Sequence, residues 1–360
     1  MSSVQPFNAI PLSVMRSLRR LLVVTGACLV PAFATMAQTA EGAAASNYPT
    51  KPLRVIVPSP PGGPPDLLMR ILAPKLSVSL GQTVIVENRL GAGGLVGTAY
   101  VAKLPADGYT WLFTTASHTN IPPFNENVTY DSVKDFTHVT LAAQNFGQVL
   151  VVPADSPVKT FKELIALAKK NPGKLTYGHA GLGTASHIPA EVMKTMTDTD
   201  ILPVPYKGVA EATNDLIAGR IDIFFVGTQI AQQHLQSGRL RALAVTGAKR
   251  WKGMPETPTL QELGLKDFNV VNWFGLWLPA HAPAAVVSRL QSEVVKAIAQ
   301  PDVVAQFDTL GLEGVGMPSA EFALFVAKEA AAAQQIARNV APAVVTVTTI
   351  PATVDQDAKK

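Results

Sequence analysis

Four loops in this chain are rich in neutral hydrogen-bond donors, and their chemistry suits holding a small anion better than breaking a bond. They are PSPPGGPPD (58–66), TTASHTN (114–120), GHAGLGTASH (178–187) and Pro205-Tyr206-Lys207-Gly208. Prolines remove backbone N–H groups and fix φ, while glycines let the backbone approach another object closely. A loop built of both is rigid and offers a few selected donors, or is simply a strained turn. A glycine-rich loop feeding a helix presents unpaired N–H groups at the positive end of the helix dipole, which suits an anion. None of the four loops contains arginine. Capture by neutral dipoles suits a carboxylate bound reversibly. Asp66 reads as the N-cap of the helix after the first loop. A carboxylate there repels an anion, so its direct roles are to accept from an amine or to order the loop. Thr184 is an N-cap candidate for the helix after the third loop, expected over 184–197. Pro189 fits better in the first turn of a helix that starts at Ser186.

Enzymatic patterns are absent from the sequence. It contains no G-x-S-x-G elbow and no phosphate-binding P-loop. Gly91-Ala-Gly93-Gly94-Leu-Val-Gly97 follows a strand and precedes a helix, but its spacing fails as a dinucleotide fingerprint, and a tight helix–strand packing turn explains it. The six histidines are scattered, and His179 and His187 have no carboxylate or cysteine at ligand spacing. Neither a metal nor a cofactor is expected.

The elements that must position these loops alternate. Strand patterns fall at 53–58, 83–88, 109–115, 148–154, 174–180, 221–227, 240–247 and 268–279, with helical patterns between them. Leu68, Leu72, Leu76 and Leu80 recur every four residues on one helix face, which Pro74 is expected to kink. Thr160–Glu163 and Thr259–Glu262 are capping boxes that predict helix starts. This rhythm predicts parallel α/β sheets, with ligands beyond the carboxyl ends of the strands. Residues 283–300, 302–310 and 319–339 read as helices with no strand between them.

Composition and the chain start bound the setting. With 48% hydrophobic and 16% charged residues over 360 positions, the chain is globular and long enough for about two domains. Arg16, Arg19 and Arg20, the apolar run 21–33 and small residues ending at Ala34 or Ala37 form a signal peptide, expected over 1–37. Its removal leaves 323 residues and takes three arginines and no acid, lowering the formal charge from +4 to +1. That leaves no argument for nucleic acid or a membrane surface as partner. The one cysteine, Cys28, leaves with the signal, so an ordinary core must hold the fold. A periplasmic product is expected.

YPTKPLRVIVPSPPGGPPD, VENRLGAGGLVGTAYVAK, ADGYTWLF, LTYGHAGLGTASH, VPYKGVAEATNDLIAGRID, GRLRALAVTGAKRWKGMPETPTLQELG and WFGLWLPA together resemble the Bug family. These are periplasmic solute receptors of tripartite tricarboxylate transporters, and the resemblance spans about residues 48–320. It implies an α/β, two-lobed periplasmic binding protein fold of type II kind, with two parallel-rich sheets flanked by helices and a cleft between the lobes. Lobe 1 is expected from 48–143 plus 273–340 and lobe 2 from 144–272, followed by a loosely ordered tail, 341–360, in which VVTVTTI could add a strand. The resemblance carries the ligand site onto Ser59, Gly62, Gly63 and Asp66 on one side, onto Gly181, Gly183, Thr184 and His187 on the other, and onto Ser117 and Tyr206.

Two residues depart from the family pattern: Ser59 where an aromatic residue is usual, and His179 where serine is usual. Together they suggest a ring-bearing acid or a medium-chain dicarboxylate, unless both side chains point away from the cleft. The expected function is a monomeric receptor that captures a small organic carboxylate and delivers it to membrane permease subunits. The alternatives are a receptor that presents its ligand to a sensor kinase, and a periplasmic hydrolase or isomerase.

Overall fold

The computed structural model describes residues 47–344, with side chains to residue 339. The expected signal peptide, its cleavage site and the tail from residue 345 lie outside the described residues. Residues 47–50 form no helix or strand. Every element below belongs to one compact unit that begins at Lys51.

The first half of the chain alternates as expected. β1 (Leu53–Val57) leads to α1 (Pro64–Leu80), then β2 (Val84–Asn88), α2 (Leu95–Ala102), β3 (Thr110–Thr115) and the short α3 (Ser117–Asn120). In β1 every side chain but that of Arg54 is buried, as suits a strand covered on both faces. α1 opens with two prolines, which lack only N–H groups that have no intrahelical acceptor, and it stops at Gly81 in the left-handed conformation. All four leucines of its stripe are buried, and the helix continues through Pro74.

β4 (Phe136–Asn145) then runs straight into β5 (Gln148–Pro153), followed by α4 (Phe161–Lys170), β6 (Thr176–His179), α5 (Ile188–Thr197), β7 (Leu202–Pro205), α6 (Val209–Ile217), β8 (Ile223–Gly227), α7 (Thr228–Gln236) and β9 (Leu240–Val245). β10 (Trp273–Pro279), α8 (Ala284–Ile298), α9 (Pro301–Thr309), β11 (Leu312–Gly314) and α10 (Ser319–Val344) complete it. No described helix is long and apolar enough to cross a membrane.

The strands form two sheets. One has six strands in the order β11-β4-β10-β3-β1-β2, the other five in the order β7-β6-β8-β5-β9. The parallel ladders anticipated from the rhythm lie at one side of each sheet, β2–β1–β3 and β7–β6–β8. The strands next to the crossings between sheets add antiparallel pairs: β10 with β3 and β4, and β5 with β8 and β9. Trp273, Trp277 and Phe322 centre the core of the larger sheet. Phe161, Tyr177, Phe225 and Phe268 pack one face of the smaller sheet.

The chain crosses between sheets at 145–148 and again at 246–272, and the crossings are stitched together. Asn145 donates its N–H to the Asn272 carbonyl at 2.9 Å, and its side-chain oxygen accepts from the N–H groups of Gly147 and Asn272, both at 2.9 Å. Thr246 Oγ1 accepts from Gln148 N–H at 2.7 Å and donates to the Val270 carbonyl at 2.6 Å.

Several expectations need correction. β4 was not anticipated: Thr137, His138 and Thr140 interrupt its apolar run, although the strand is buried along most of its length. β7 contains two prolines, which only an edge strand tolerates, and it is an edge strand. β11, three residues long, separates two of the helices expected to follow without a strand. β10 begins at Trp273 instead of 268, because Val270 is engaged by Thr246 at the crossing. The capping-box bonds between Thr259 and Glu262 form, but only turns follow them, with Gly264 at φ 102°.

Candidate functional site

The loop between β1 and α1 is organised around a buried carboxylate. Asp66 is 1% exposed and accepts from Gly62 N–H at 2.8 Å, Arg70 Nε at 2.9 and 3.0 Å, and Asn88 Nδ2 at 2.8 Å. Burial alone would raise this carboxyl; the Arg70, Gly62 and Asn88 donors outweigh it and hold it below the ordinary carboxylate range. The N-cap of α1 is Gly63, so Asp66 stands at the third helical position and is not the cap. Its oxygens are occupied, which leaves it to order the loop and not to accept from a ligand amine.

The donors expected from this loop are also spent. Gly62 N–H goes to Asp66 and Gly63 N–H to the Pro60 carbonyl at 3.1 Å, while Pro64 and Pro65 have none. Ser59 is different. Asn88 Nδ2 holds its carbonyl at 3.0 Å, and its hydroxyl is buried with no partner among the described residues.

Ser59 is among the residues that line a cavity of about 520 Å³, although its hydroxyl itself is covered. Residues 58–60, 90–94, 114–117 and 120–121 line it from the larger sheet's side, 183–185 and 188 from the smaller sheet's side, and 270–272 from a crossing. No lining residue carries an ionisable side chain. Of the residues singled out in the sequence, Ser59, Ser117, Gly183 and Thr184 line the cavity. Ser117 Oγ accepts from Thr115 Oγ1 at 2.9 Å, which leaves the Ser117 hydroxyl proton available.

His179, Gly181 and His187 stand behind the wall. His179 Nδ1 accepts from Gly181 N–H at 3.2 Å, and His187 Nδ1 accepts from Gly183 N–H at 3.3 Å. With Nδ1 accepting, the proton of each neutral ring belongs on Nε2. Burial pushes His187 down to about 4 and lowers His179 as well, so both are neutral supports for the loop. Tyr206 is turned to Asp215, to which its hydroxyl donates at 3.0 Å. Behind the histidines Tyr177 donates to Glu191, which also takes Lys194 Nζ at 2.8 Å.

The helix after this loop starts later than either expectation allowed. α5 begins at Ile188, with His187 as N-cap and Pro189 inside the first turn. Residues 181–187 are committed to turns: Thr184 N–H bonds to the Gly181 carbonyl, and the N–H groups of His187 and Ile188 to that of Thr184. Thr184 Oγ1 donates to the Gly181 carbonyl at 2.7 Å, and Ser186 Oγ accepts from Ala180 N–H at 3.0 Å. The Ala185 and Ser186 N–H groups have no acceptor among the described residues.

Segment 90–94 was read only as a packing turn, and it also lines the cavity. A Cβ on Gly97 would stand 2.6 Å from the Arg89 carbonyl oxygen, so the turn does pack helix against strand. Gly91–Gly94 nevertheless bring the amino end of α2 to the cavity, as Thr184–Ile188 bring that of α5. Gln148 and Val270–Asn272 were missed too. The available signal was position: each lies at a strand end or at a crossing between sheets.

Comparison with known proteins gives this arrangement its family. The profile of the tripartite tricarboxylate transporter family receptor matches residues 68–341. A UPF0065 protein from the tcbD–tcbE intergenic region of Pseudomonas sp. (strain P51) is 42% identical over 270 residues, covering 75% of this chain and 80% of that protein. Among solved structures, an R. palustris protein with adipate is 32% identical, with TM-score 0.69 over 82% of this chain and 98% of that one. MatC from Rhodopseudomonas palustris with bound malate is 27% identical, with TM-score 0.66 over 81% and 100%. The fold is the two-lobed α/β fold of periplasmic binding proteins, and the chain belongs to the receptor family of the tripartite tricarboxylate transporters.

Proposed function

We propose that this receptor captures a small organic carboxylate in the 520 Å³ cavity and delivers it to the membrane permease subunits of a tripartite tricarboxylate transporter. Capture is by closure of two lobes, 48–143 plus 273–340 and 144–272, about the crossings at 145–148 and 246–272. The protein works in the periplasm as a monomer and catalyses no reaction. One observation carries the reading: the amino ends of α2 and α5 and Ser117, whose hydroxyl proton is uncommitted, converge on one cavity without an ionisable side chain. Positive dipole ends and neutral donors stabilise an anion without binding it irreversibly. Micromolar capture corresponds to about 8 kcal/mol, within reach of several such bonds in a closed cleft. The two relatives solved with adipate and malate support a carboxylate as the ligand class. No histidine, acid or lysine lines the cavity, so its hydroxyls have no base beside them for covalent chemistry.

A thermal-shift screen over mono-, di- and aromatic carboxylates, with the recovered ligand analysed, tests this. Stabilisation by a carboxylate recovered unchanged is the expected result. Conversion of the ligand, or stabilisation only by uncharged or cationic solutes, contradicts it.

A further inference from the structure

Each crossing between the sheets brings one side-chain amide to the cavity. Gln148 stands at the end of the first crossing and Asn272 at the end of the second, and both line the cavity. Their backbones are spoken for. Gln148 donates its N–H to Thr246 Oγ1 at 2.7 Å, and its carbonyl accepts from Thr246 N–H at 2.9 Å. Asn272 donates its N–H to Asn145 Oδ1 at 2.9 Å, and its carbonyl accepts from Asn145 N–H at 2.9 Å. Each residue is thereby fastened to the other crossing.

The two amides, by contrast, are uncommitted. Neither makes a side-chain hydrogen bond to a described residue, and unlike Ser59 Oγ neither is sealed off by protein. Gln148 is only 7% exposed, so its amide has little access to water away from the cavity. A primary amide carries two donors and an acceptor, and leaving them unmet in a nearly buried place is unfavourable. Its N–H groups suit the oxygens of an acid. We propose that the Gln148 and Asn272 amides donate to oxygen atoms of the bound acid, and that these two contacts tie occupancy of the cavity to the crossings about which the lobes close. An acid held by both amides bridges the two crossings, so it favours the arrangement in which both reach it at once. The inference rests on the carboxylate reading above.

The variants Gln148→Met and Asn272→Leu, which keep most of the volume and remove the amides, test it in the whole chain. Titration calorimetry with acetate, malate, adipate and phenylacetate is expected to show each variant binding the wild type's tightest acid at least about tenfold more weakly. Gln148→Glu, which sets a carboxylate beside the anion, is expected to lose at least about a hundredfold. The thermal midpoint of the ligand-free chain should be unchanged or raised in the Met and Leu variants, because neither amide bonds to protein. In solution scattering at saturating acid both should compact less than the wild type. Unchanged affinity in both, with or without a lowered midpoint, overturns the contacts and leaves the carboxylate reading standing. Weakened affinity with full compaction at saturation overturns the tie to the crossings. Binding of none of the four acids by the wild type overturns both readings.

Discussion

Gly183 and Asn120 meet backbone to backbone across the cleft. Gly183 has φ 75°, and a Cβ there would stand 2.5 Å from the Asn120 carbonyl oxygen and 3.0 Å from Ile121 Cα. Beside this contact the ring of Phe124, from the larger sheet's side, meets His187 edge-on at 5.4 Å. The loop that lines the cavity from the smaller sheet is thus also a point where the two sides touch.

Gly183→Ala should therefore oppose closure more than folding. An added methyl group strains the left-handed backbone and collides with a carbonyl that belongs to the opposite side. Carboxylate affinity is expected to fall at least about tenfold, about 1.4 kcal/mol. In solution scattering the wild-type chain should compact on saturation with carboxylate, and the variant should not. Compaction of both to the same radius of gyration would show that the contact is incidental.

Asp66→Asn should loosen the first loop. The substitution removes the charge that holds Arg70 and weakens the bonds from Gly62 and Asn88, at a cost of about 1–3 kcal/mol in thermal or denaturant unfolding. The Asp66 carboxyl is lowered in the folded chain, so its contribution is present above the unfolded value near 3.8 and is lost as pH falls through the folded value. Unchanged unfolding in the variant would mean that the loop holds without this centre.

Buried histidines set a second pH dependence. Burial pushes His118 down to about 3, and His138 and His187 down to about 4, against 6.5 when unfolded. As pH falls below 6.5 the unfolded chain takes up protons that the folded chain refuses. Stability is therefore full above 6.5 and declines until the folded values are reached, by up to about 1.4 kcal/mol per pH unit for each histidine. Denaturant unfolding at several pH values between about 7 and 5 measures this slope. His187→Gln should make it shallower, and a flat profile in the wild type would contradict the burial argument.

Thr184→Ala should lose about tenfold in carboxylate affinity. Thr184 lines the cavity, and its hydroxyl ties the turn by its bond to the Gly181 carbonyl. His179→Ser, behind the wall, should leave the ranking of ligands unchanged, whereas Ser59→Phe, in the wall, should shift it toward smaller acids. Calorimetric titration of the three variants with the same set of acids checks these expectations. The opposite pattern for positions 59 and 179 would mean that the wall is misassigned.

Local signals were legible where local physics decides. The leucine stripe of α1 and the capping box at Thr160, with Glu163 N–H donating to Thr160 Oγ1 at 3.2 Å, follow from spacing alone. The same reasoning over-reached at Thr259, where the bonds form without a helix, because the turns that follow bring Gly264 into the left-handed region. β4 escaped because its threonines find distant partners: Thr137 Oγ1 accepts from Ala282 N–H at 3.1 Å and Thr140 Oγ1 donates to the Met317 carbonyl at 2.7 Å. In the site, loop composition pointed to the segments 58–66, 114–120 and 178–187, and the family resemblance to Ser59, Ser117, Gly183 and Thr184 within them. Which N–H groups stay free could not be read from it. Gly62 and Gly63 look available in sequence, yet one is taken by Asp66 and the other by Pro60. Val270–Asn272 reach the cavity only because the crossings are stitched at Asn145 and Thr246, a relationship over 24 to 127 residues.

A crystal structure of the chain with a bound carboxylic acid tests the central claim most directly. The account predicts a carboxylate within about 3.2 Å of Ser117 Oγ and, at the same time, of a backbone N–H of the 183–188 turn. A carboxylate held elsewhere, such as by Arg70 and Lys75 in the groove between α1 and α9, would contradict it.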